Sequence, residues 1–423
     1  MKLAVIGAGS TYTPELVSGL MREGERIDVR QLVLHDIDPE RREVVGGLSR
    51  RILERQGFAG ALEITGELDR ALDGADAVLL QIRVGGQAAR LRDETIPAAC
   101  GCVGQETTGA GGLAKAMRTV PVVLEIAQRA RELAANDAWI VDFTNPVGIV
   151  TRALLDAGHR AIGLCNVAIT FQRQIAGHLG VAPDRVLVDQ VGLNHLTWIR
   201  AVWLDGRDVL PDVLSSFGDA LAEEIQLPRR LLDALGAIPS YYLRYFYAER
   251  EVIREQREAP ARAQVVLDIE RRLLELYRDP SLAEKPALLE QRGGAFYSEA
   301  AVQLVASLAA DTGDVQVVDV RNRGTLPGLA DDDVVELPAR IGSAGAMPMT
   351  QPPLAPELLG LVQQVAAYER LAAAAAANGD RDRARLALMT NPLVREPELA
   401  EALLERLLAA ETQPPPMPTE VGR

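Results

Sequence analysis

An α/β fold with a doubly wound parallel sheet is predicted by three features of the chain. There are six short apolar runs, helical patterns between them, and a glycine turn directly after the first run. The runs are Leu3–Ile6, Gln31–Leu34, Leu62–Thr65, Ala77–Ile82, Trp139–Phe143 and Ala161–Leu164. Each is short and continuously apolar, as strands covered by helices on both faces must be. Helical patterns such as Asp38–Arg55 and Leu113–Leu133 separate them, and this alternation predicts a Rossmann-like parallel sheet of about six strands.

The first run breaks into Gly7-Ala8-Gly9-Ser10-Thr11, and Thr13-Pro14-Glu15 then opens a helix with a capping hydroxyl and a proline at the first helical position. Strand, glycine turn and helix together predict a pyrophosphate site, made of Gly7, Gly9, Ser10 and Thr11. The third glycine of the full dinucleotide fingerprint is replaced by Tyr12. The second run supplies support, because it ends in Asp36, where a carboxylate accepts hydrogen bonds from an adenosine ribose and repels the extra phosphate of NADP. NAD is therefore the expected dinucleotide. The alternative is a plain turn with Asp36 capping the next helix.

At 423 residues the chain exceeds one typical core. The expected division is a dinucleotide domain over 1–165, a mixed α/β substrate and metal domain over 166–412, and a flexible tail over 413–423. In the second part the pattern predicts helices at Ile169–Leu179, Glu251–Tyr277 and Leu361–Ala377, a strand at Val186–Val191, and a helical C-terminal third. Acidic residues outnumber basic ones, 59 to 45, which argues against nucleic acid as a partner. Three cysteines, with Cys100 and Cys102 too close for an ordinary bridge, fit a reducing cytoplasm. No leader pattern opens the sequence and no apolar run reaches the length of a membrane span, so a cytoplasmic protein with no membrane partner is expected.

Candidate chemistry gathers where the runs end. Cys165 and Asn166 close the sixth run, in Gly163-Leu-Cys-Asn-Val167, at the edge where open α/β sheets collect ligands. His195, in Gly192-Leu-Asn-His195, follows a strand-like run. A thiolate plus an imidazole with open positions suits a borderline divalent metal whose shell substrate or water completes. Taken singly, each is equally a buried core residue. Tyr241, Tyr242, Tyr245 and Tyr247 crowd one short segment, and a tyrosine beside a cation can ionise and act as a base. Arg83 and Arg90 follow the fourth run, where arginine forks suit phosphate or carboxylate. Ordinary surface pairing of either arginine with Asp93 or Glu94 is the alternative. Asn145, closing the fifth run, is placed to orient a substrate hydroxyl or the nicotinamide.

Taken together, Gly7-Ala-Gly-Ser-Thr-Tyr-Thr-Pro-Glu-Leu16, Arg83-Val-Gly-Gly86, Gly104-Gln-Glu-Thr-Thr-Gly109, Phe143-Thr-Asn-Pro146, Gly163-Leu-Cys-Asn-Val167, Gly192-Leu-Asn-His195, Tyr242-Leu-Arg-Tyr245 and Arg292-Gly-Gly294 resemble glycoside hydrolase family four. The match runs to about Pro392, and the family stands outside the two-carboxylate scheme of glycoside hydrolysis. The resemblance implies a lactate/malate dehydrogenase-like plan, NAD, a divalent metal with manganese foremost, and a homodimer or homotetramer. It implies hydrolysis of 6-phospho-β-glucosides by redox elimination: hydride leaves sugar C3, the ketone acidifies the C2 proton, a base removes it, the aglycone leaves C1, water adds and the hydride returns. It further implies Cys165 and His195 as metal ligands, Tyr242 as the C2 base and Glu106 as the acid raising that tyrosine's basicity. Arg90, Asn145, Asn166 and Arg262 would be substrate contacts, with Arg83 and Asn145 on the cofactor side.

Two positions depart from the family. Asn166 stands where α-specific members carry an aspartic acid and cannot donate a proton as that acid does, which favours β-linked substrates with good leaving groups. Ala168 replaces the usual proline and removes its constraint on the loop. Competing readings are a dehydrogenase of hydroxy acids or sugar acids, a family member acting on unphosphorylated or α-linked glycosides, and a nucleotide-responsive binding protein.

Overall fold

A computed structural model describes residues 1–22, 26–294 and 296–411; the expected tail at 413–423 lies outside them. The strands are β1 (Lys2–Ile6), β2 (Gln31–His35), β3 (Ala61–Thr65), β4 (Ala77–Leu80), β5 (Trp139–Asp142), β6 (Ala161–Gly163), β7 (Val186–Leu193), β8 (Leu196–Leu204), β9 (Arg207–Asp208), β10 (Ile238–Pro239), β11 (Val315–Arg321), β12 (Val334–Gly342) and β13 (Gly345–Pro348). The first six fall on the six apolar runs. They pair in the parallel order β3-β2-β1-β4-β5-β6, the Rossmann order. Leu3, Ala4 and Val5, like Val78, Leu79 and Leu80, are fully buried, so their apolar character is the requirement of a sheet covered on both faces.

Beyond β6 the sheet continues but changes character. β11, β12, β7, β8 and β10 follow in order with antiparallel pairing, while β13 pairs with β12 and β9 with β8. Residues 166–411 therefore share one sheet with the first half. Their helix Pro356–Asn378 packs on the helices Gly109–Leu133 and Val147–Asp156 of that half.

Two local expectations are corrected. The helix anticipated over Glu251–Tyr277 is two helices, Glu249–Glu258 and Arg262–Tyr277. Pro260 lacks an N–H and forces its predecessor Ala259 to extended backbone, which separates them. The C-terminal third contains β11, β12 and β13 as well as helices. The valine-rich run Val315-Gln-Val-Val-Asp-Val, with its β-branched side chains, is the signal that identifies the first of these. Among the described residues no helix is long and apolar enough to cross a membrane.

Candidate active site

The glycine loop is shaped by close approaches. Gly7 has φ +92°, and a Cβ there would stand 2.8 Å from the Gln81 carbonyl oxygen; one on Gly9 would stand 2.6 Å from the Asp36 carboxylate. The N–H groups of Gly7 and Ala8 both donate to the His35 carbonyl, and that of Gly9 donates to Asp36 Oδ2 at 2.7 Å. Asp36 does not cap the helix Pro39–Arg55; Asp38 does, accepting from the N–H of Glu40 and Arg41. Asp36 is thus tied to the glycine loop. Ser10 Oγ accepts from the Tyr12 N–H, and the buried Thr11 receives the Tyr277 hydroxyl on its carbonyl at 2.7 Å. Tyr12, at the third glycine position, lies beneath the Arg292 guanidinium.

Cys165 follows β6 and precedes Asn166, the N-cap of the helix Val167–Leu179. Its thiol is buried and pushed well above the ordinary thiol range, by burial first and then by Glu336, while the Val167 N–H opposes this. The Tyr297 hydroxyl reaches its Sγ at 3.9 Å. A helix N-terminus beside a buried thiol favours the thiolate once a cation is present.

His195 lies in the two-residue turn between β7 and β8, with Leu193 facing Leu196. It adopts φ +63°, an uncommon backbone for a residue with a side chain. Gly192 makes the tight hairpin possible, since a Cβ there would stand 2.1 Å from the Leu196 carbonyl oxygen. His195 Nδ1 is 2.9 Å from Thr107 Oγ1, and Nε2 is buried with no protein partner. Burial, followed by the Lys115 charge, lowers its pKa to about 3, so the ring is neutral. A neutral imidazole with one nitrogen oriented by a hydroxyl and the other unpartnered, in the same crevice as a buried thiol, fits a borderline divalent cation.

The loops that carry Cys165 and His195 flank the thinnest seams of the sheet. β6 meets β11 only at Gly163 opposite Asp319, two residues before Cys165. β7 meets β12 only at Gly192 opposite Glu336, three residues before His195. Tyr242 connects the two sides: its ring stacks on His195 at 3.6 Å between centroids and 11° between planes. Its phenol is pushed well up by burial, then by Tyr241 and Cys165, and a nearby cation would draw it down.

Glu106 is buried and engaged by three cations: Arg83, Lys115 at 2.5 Å and Arg90 at 3.1 Å. Its carboxyl is held well below the usual range, by Arg83 first among these cations, against the opposing effect of burial. Arg83 is committed to this carboxylate. Arg90 also pairs with Glu94 at 2.7 Å, and Asp93 pairs with Arg118. Arg262 donates to the carbonyls of Gln291 and Arg292. Its pKa is lowered by burial first and then by Arg90 and Arg292, with Glu94 opposing. Asn145 Oδ1 is buried without a protein partner.

Sequence reasoning missed several residues at this site. Lys115, one of three lysines in the chain, is buried beside Glu106, and its pKa falls to about 7 through burial and then Arg83. Glu270 is a hub for Arg41 at 3.2 Å, Arg292 at 2.9 Å and Gln87 at 3.1 Å. Tyr297 and Glu336 complete the set. A charged residue inside an otherwise apolar run, as in Leu113-Ala-Lys-Ala and Val334-Val-Glu-Leu, was the available signal.

This arrangement defines a protein of the dinucleotide-binding α/β class with a second, cation-ready centre at the ends of its strands. Comparison with known proteins is more specific. Residues 2–181 match the model of the family 4 glycosyl hydrolases and residues 190–394 that of their C-terminal domain, and the chain belongs to this family. It is 41% identical, over 97% of its length and 96% of the relative's, to a probable 6-phospho-β-glucosidase of Bacillus subtilis. The 6-phospho-β-glucosidase of Thermotoga maritima, solved with manganese, NAD+ and glucose-6-phosphate, superposes with a TM-score of 0.92 at 35% identity, covering 97% of this chain and 98% of that one. Malate dehydrogenase from Plasmodium falciparum, at 14% identity and a TM-score of 0.56 over 89% of this chain and 99% of its own, shares the fold.

Proposed function

We propose that this chain hydrolyses 6-phospho-β-glucosides by an NAD- and divalent-metal-dependent redox elimination. The observation that carries the reading is the neutral His195 with its unpartnered Nε2, stacked on Tyr242 in a crevice shared with the buried Cys165 thiol. Bound NAD supplies a reversible hydride acceptor, and a divalent cation, manganese foremost, a Lewis acid. Gly7, Gly9, Ser10 and Thr11 hold the pyrophosphate, Asp36 the adenosine ribose, and Asn145 orients the nicotinamide or a sugar hydroxyl. Cys165 and His195 hold the cation. Tyr242 Oη takes the C2 proton, whose acidity rises once C3 is a ketone.

Arg90 and Arg262 receive the sugar phosphate. Glu106, ionised among Arg83, Arg90 and Lys115, acts as the acid that raises the basicity of Tyr242. Asn166 positions the aglycone side without donating a proton, consistent with β-linked substrates whose leaving groups need little protonation. We place the enzyme in the cytoplasm, as a homodimer or homotetramer; light scattering that finds only monomer would refute the assembly.

The test is release of nitrophenol from the 6-phospho-β-glucoside and from its unphosphorylated counterpart, under reducing conditions, with and without NAD and Mn2+. Release from the phosphorylated compound alone, requiring both additions, is expected. Release without NAD refutes the mechanism, and steady accumulation of NADH would instead identify a net dehydrogenase.

A further inference from the structure

The turn that presents His195 is held from below by a carboxylate that takes no direct part in the proposed chemistry. Glu336 is the third residue of β12 and is almost fully buried. Its Oε1 accepts from Gln190 Nε2 at 2.6 Å and its Oε2 from Asn194 Nδ2 at 2.9 Å. Gln190 lies on β7, and Asn194 is the first residue of the Asn194-His195 turn. One side chain thus clamps the strand on one side of Gly192 and the turn on the other. It does so at Gly192, the single residue where β7 and β12 pair.

Ladder support at this seam is minimal and His195 adopts a left-handed backbone, a conformation that persists only where surrounding contacts over-determine it. Burying a carboxylate is expensive, and an apolar side chain at a strand position with buried neighbours such as Val335 and Leu337 would serve packing at least as well. Thr107 and Tyr242 restrain the imidazole itself; Glu336 restrains the backbone that carries it.

We infer that Glu336 is a positioning residue for the metal centre: through Asn194 it holds His195 in the conformation that leaves Nε2 open to a divalent cation. This rests on the proposed role of His195 as a metal ligand. Groups that hydrogen-bond and orient a metal ligand commonly carry about 10- to 100-fold of metal affinity, and the same scale is expected for a group that orients His195 through its backbone.

The test uses the reduced, NAD-loaded full chain and Mn2+ titrated by calorimetry. Glu336→Leu and Asn194→Ala should each weaken Mn2+ binding about 10- to 100-fold. The double variant should be little worse than either alone, because the two share one interaction. Glu336→Gln, which keeps a hydrogen bond once the Asn194 amide turns over, should stay within about threefold. NAD affinity, read by fluorescence, should be unchanged throughout. With saturating Co2+ the thiolate-to-cobalt charge-transfer band should persist in Glu336→Leu, since Cys165 is retained and loss of the Glu336 charge only eases formation of its thiolate.

Unaltered Mn2+ affinity in Glu336→Leu and Asn194→Ala overturns the inference alone. Parallel loss of NAD affinity, or loss of the cobalt band, shows general damage and overturns it as well. If the unaltered chain binds no Mn2+ with NAD present, the redox-elimination reading fails and the inference falls with it.

Discussion

The two ends of the candidate site are built in opposite ways. At the glycine loop the backbone is closed on itself: Gly7 and Ala8 donate to His35, Gly9 donates to Asp36, and Tyr277 seals the Thr11 carbonyl. Its positive-φ residue is a glycine, which adopts such backbone without strain. At the Cys165–His195 end, His195 takes a left-handed backbone, its Nε2 and Asn145 Oδ1 are buried without protein partners, and burial drives the Cys165 thiol and Tyr242 phenol into their neutral forms. The first end is a rigid cradle that recognises a ligand by shape. The second stores cost in strain and desolvation, and cation and substrate binding would offset it. Cofactor affinity should therefore depend on steric fit, whereas turnover should depend on the chemical identity of a few side chains.

The sharpest way to break this comparison is at the metal pair. Cys165→Ser and His195→Ala should each lower Mn2+-dependent turnover by about a thousandfold or more, on the scale of removing an essential group, while NAD affinity stays within about threefold. Loss of NAD binding in step with turnover would show that the two ends are one structural unit.

A smaller effect is expected at Tyr242. Tyr242→Phe keeps the ring on His195 and removes only the hydroxyl, so kcat should fall about 10²- to 10⁴-fold with Mn2+ and NAD affinities intact. A fall confined to KM would assign the hydroxyl to substrate binding.

At the glycine end, Gly9→Ala drives a methyl group against Asp36. NAD affinity should weaken about tenfold or more, the scale of one or two lost hydrogen bonds, and kcat at saturating NAD should be nearly unchanged. A fall in kcat with normal NAD affinity would contradict the division of labour.

The smallest effect concerns stability. Burial raises Asp142, at the end of β5, and Glu369, on the helix Pro356–Asn378, to about 8. Both keep a proton in the folded chain at pH values where the unfolded chain has lost it. Their contribution to stability is therefore full below about pH 4 and is lost as pH rises towards about 8. Glu369→Gln should flatten the fall in urea-unfolding free energy across this window by on the order of 1 kcal/mol per pH unit. Identical slopes would show that Glu369 does not carry the effect.

Much of the dinucleotide half was legible because its determinants are local. Six apolar runs became six strands, and Asp36 ends β2 beside Gly9, since strand, turn and helix follow one another within a few tens of residues. Cys165 and His195 were legible as residue types at strand ends, and the resemblance placed them in one site. The Glu106 cluster with Lys115 and the Glu270 hub were not legible. Glu270 joins Arg41 and Gln87 across 229 and 183 residues of sequence, and no periodic pattern encodes a contact of that separation. β11–β13 were hidden behind the helical character of the surrounding segment, and their pairing with β6 and β7 depends on chain return over more than 100 residues.

By itself the sequence determined the fold class, the nucleotide-binding turn and the chemical types available for the reaction. Local apolar periodicity, glycine placement and motif residues are properties of short segments. Tertiary structure alone decided that a returning pair of strands would bridge the parallel sheet and the β7–β8 hairpin through two single-residue seams, set the thiol loop beside one and the histidine turn beside the other, and put a buried carboxylate beneath the turn. Those outcomes depend on which distant surfaces pack together, and packing is a property of the whole chain.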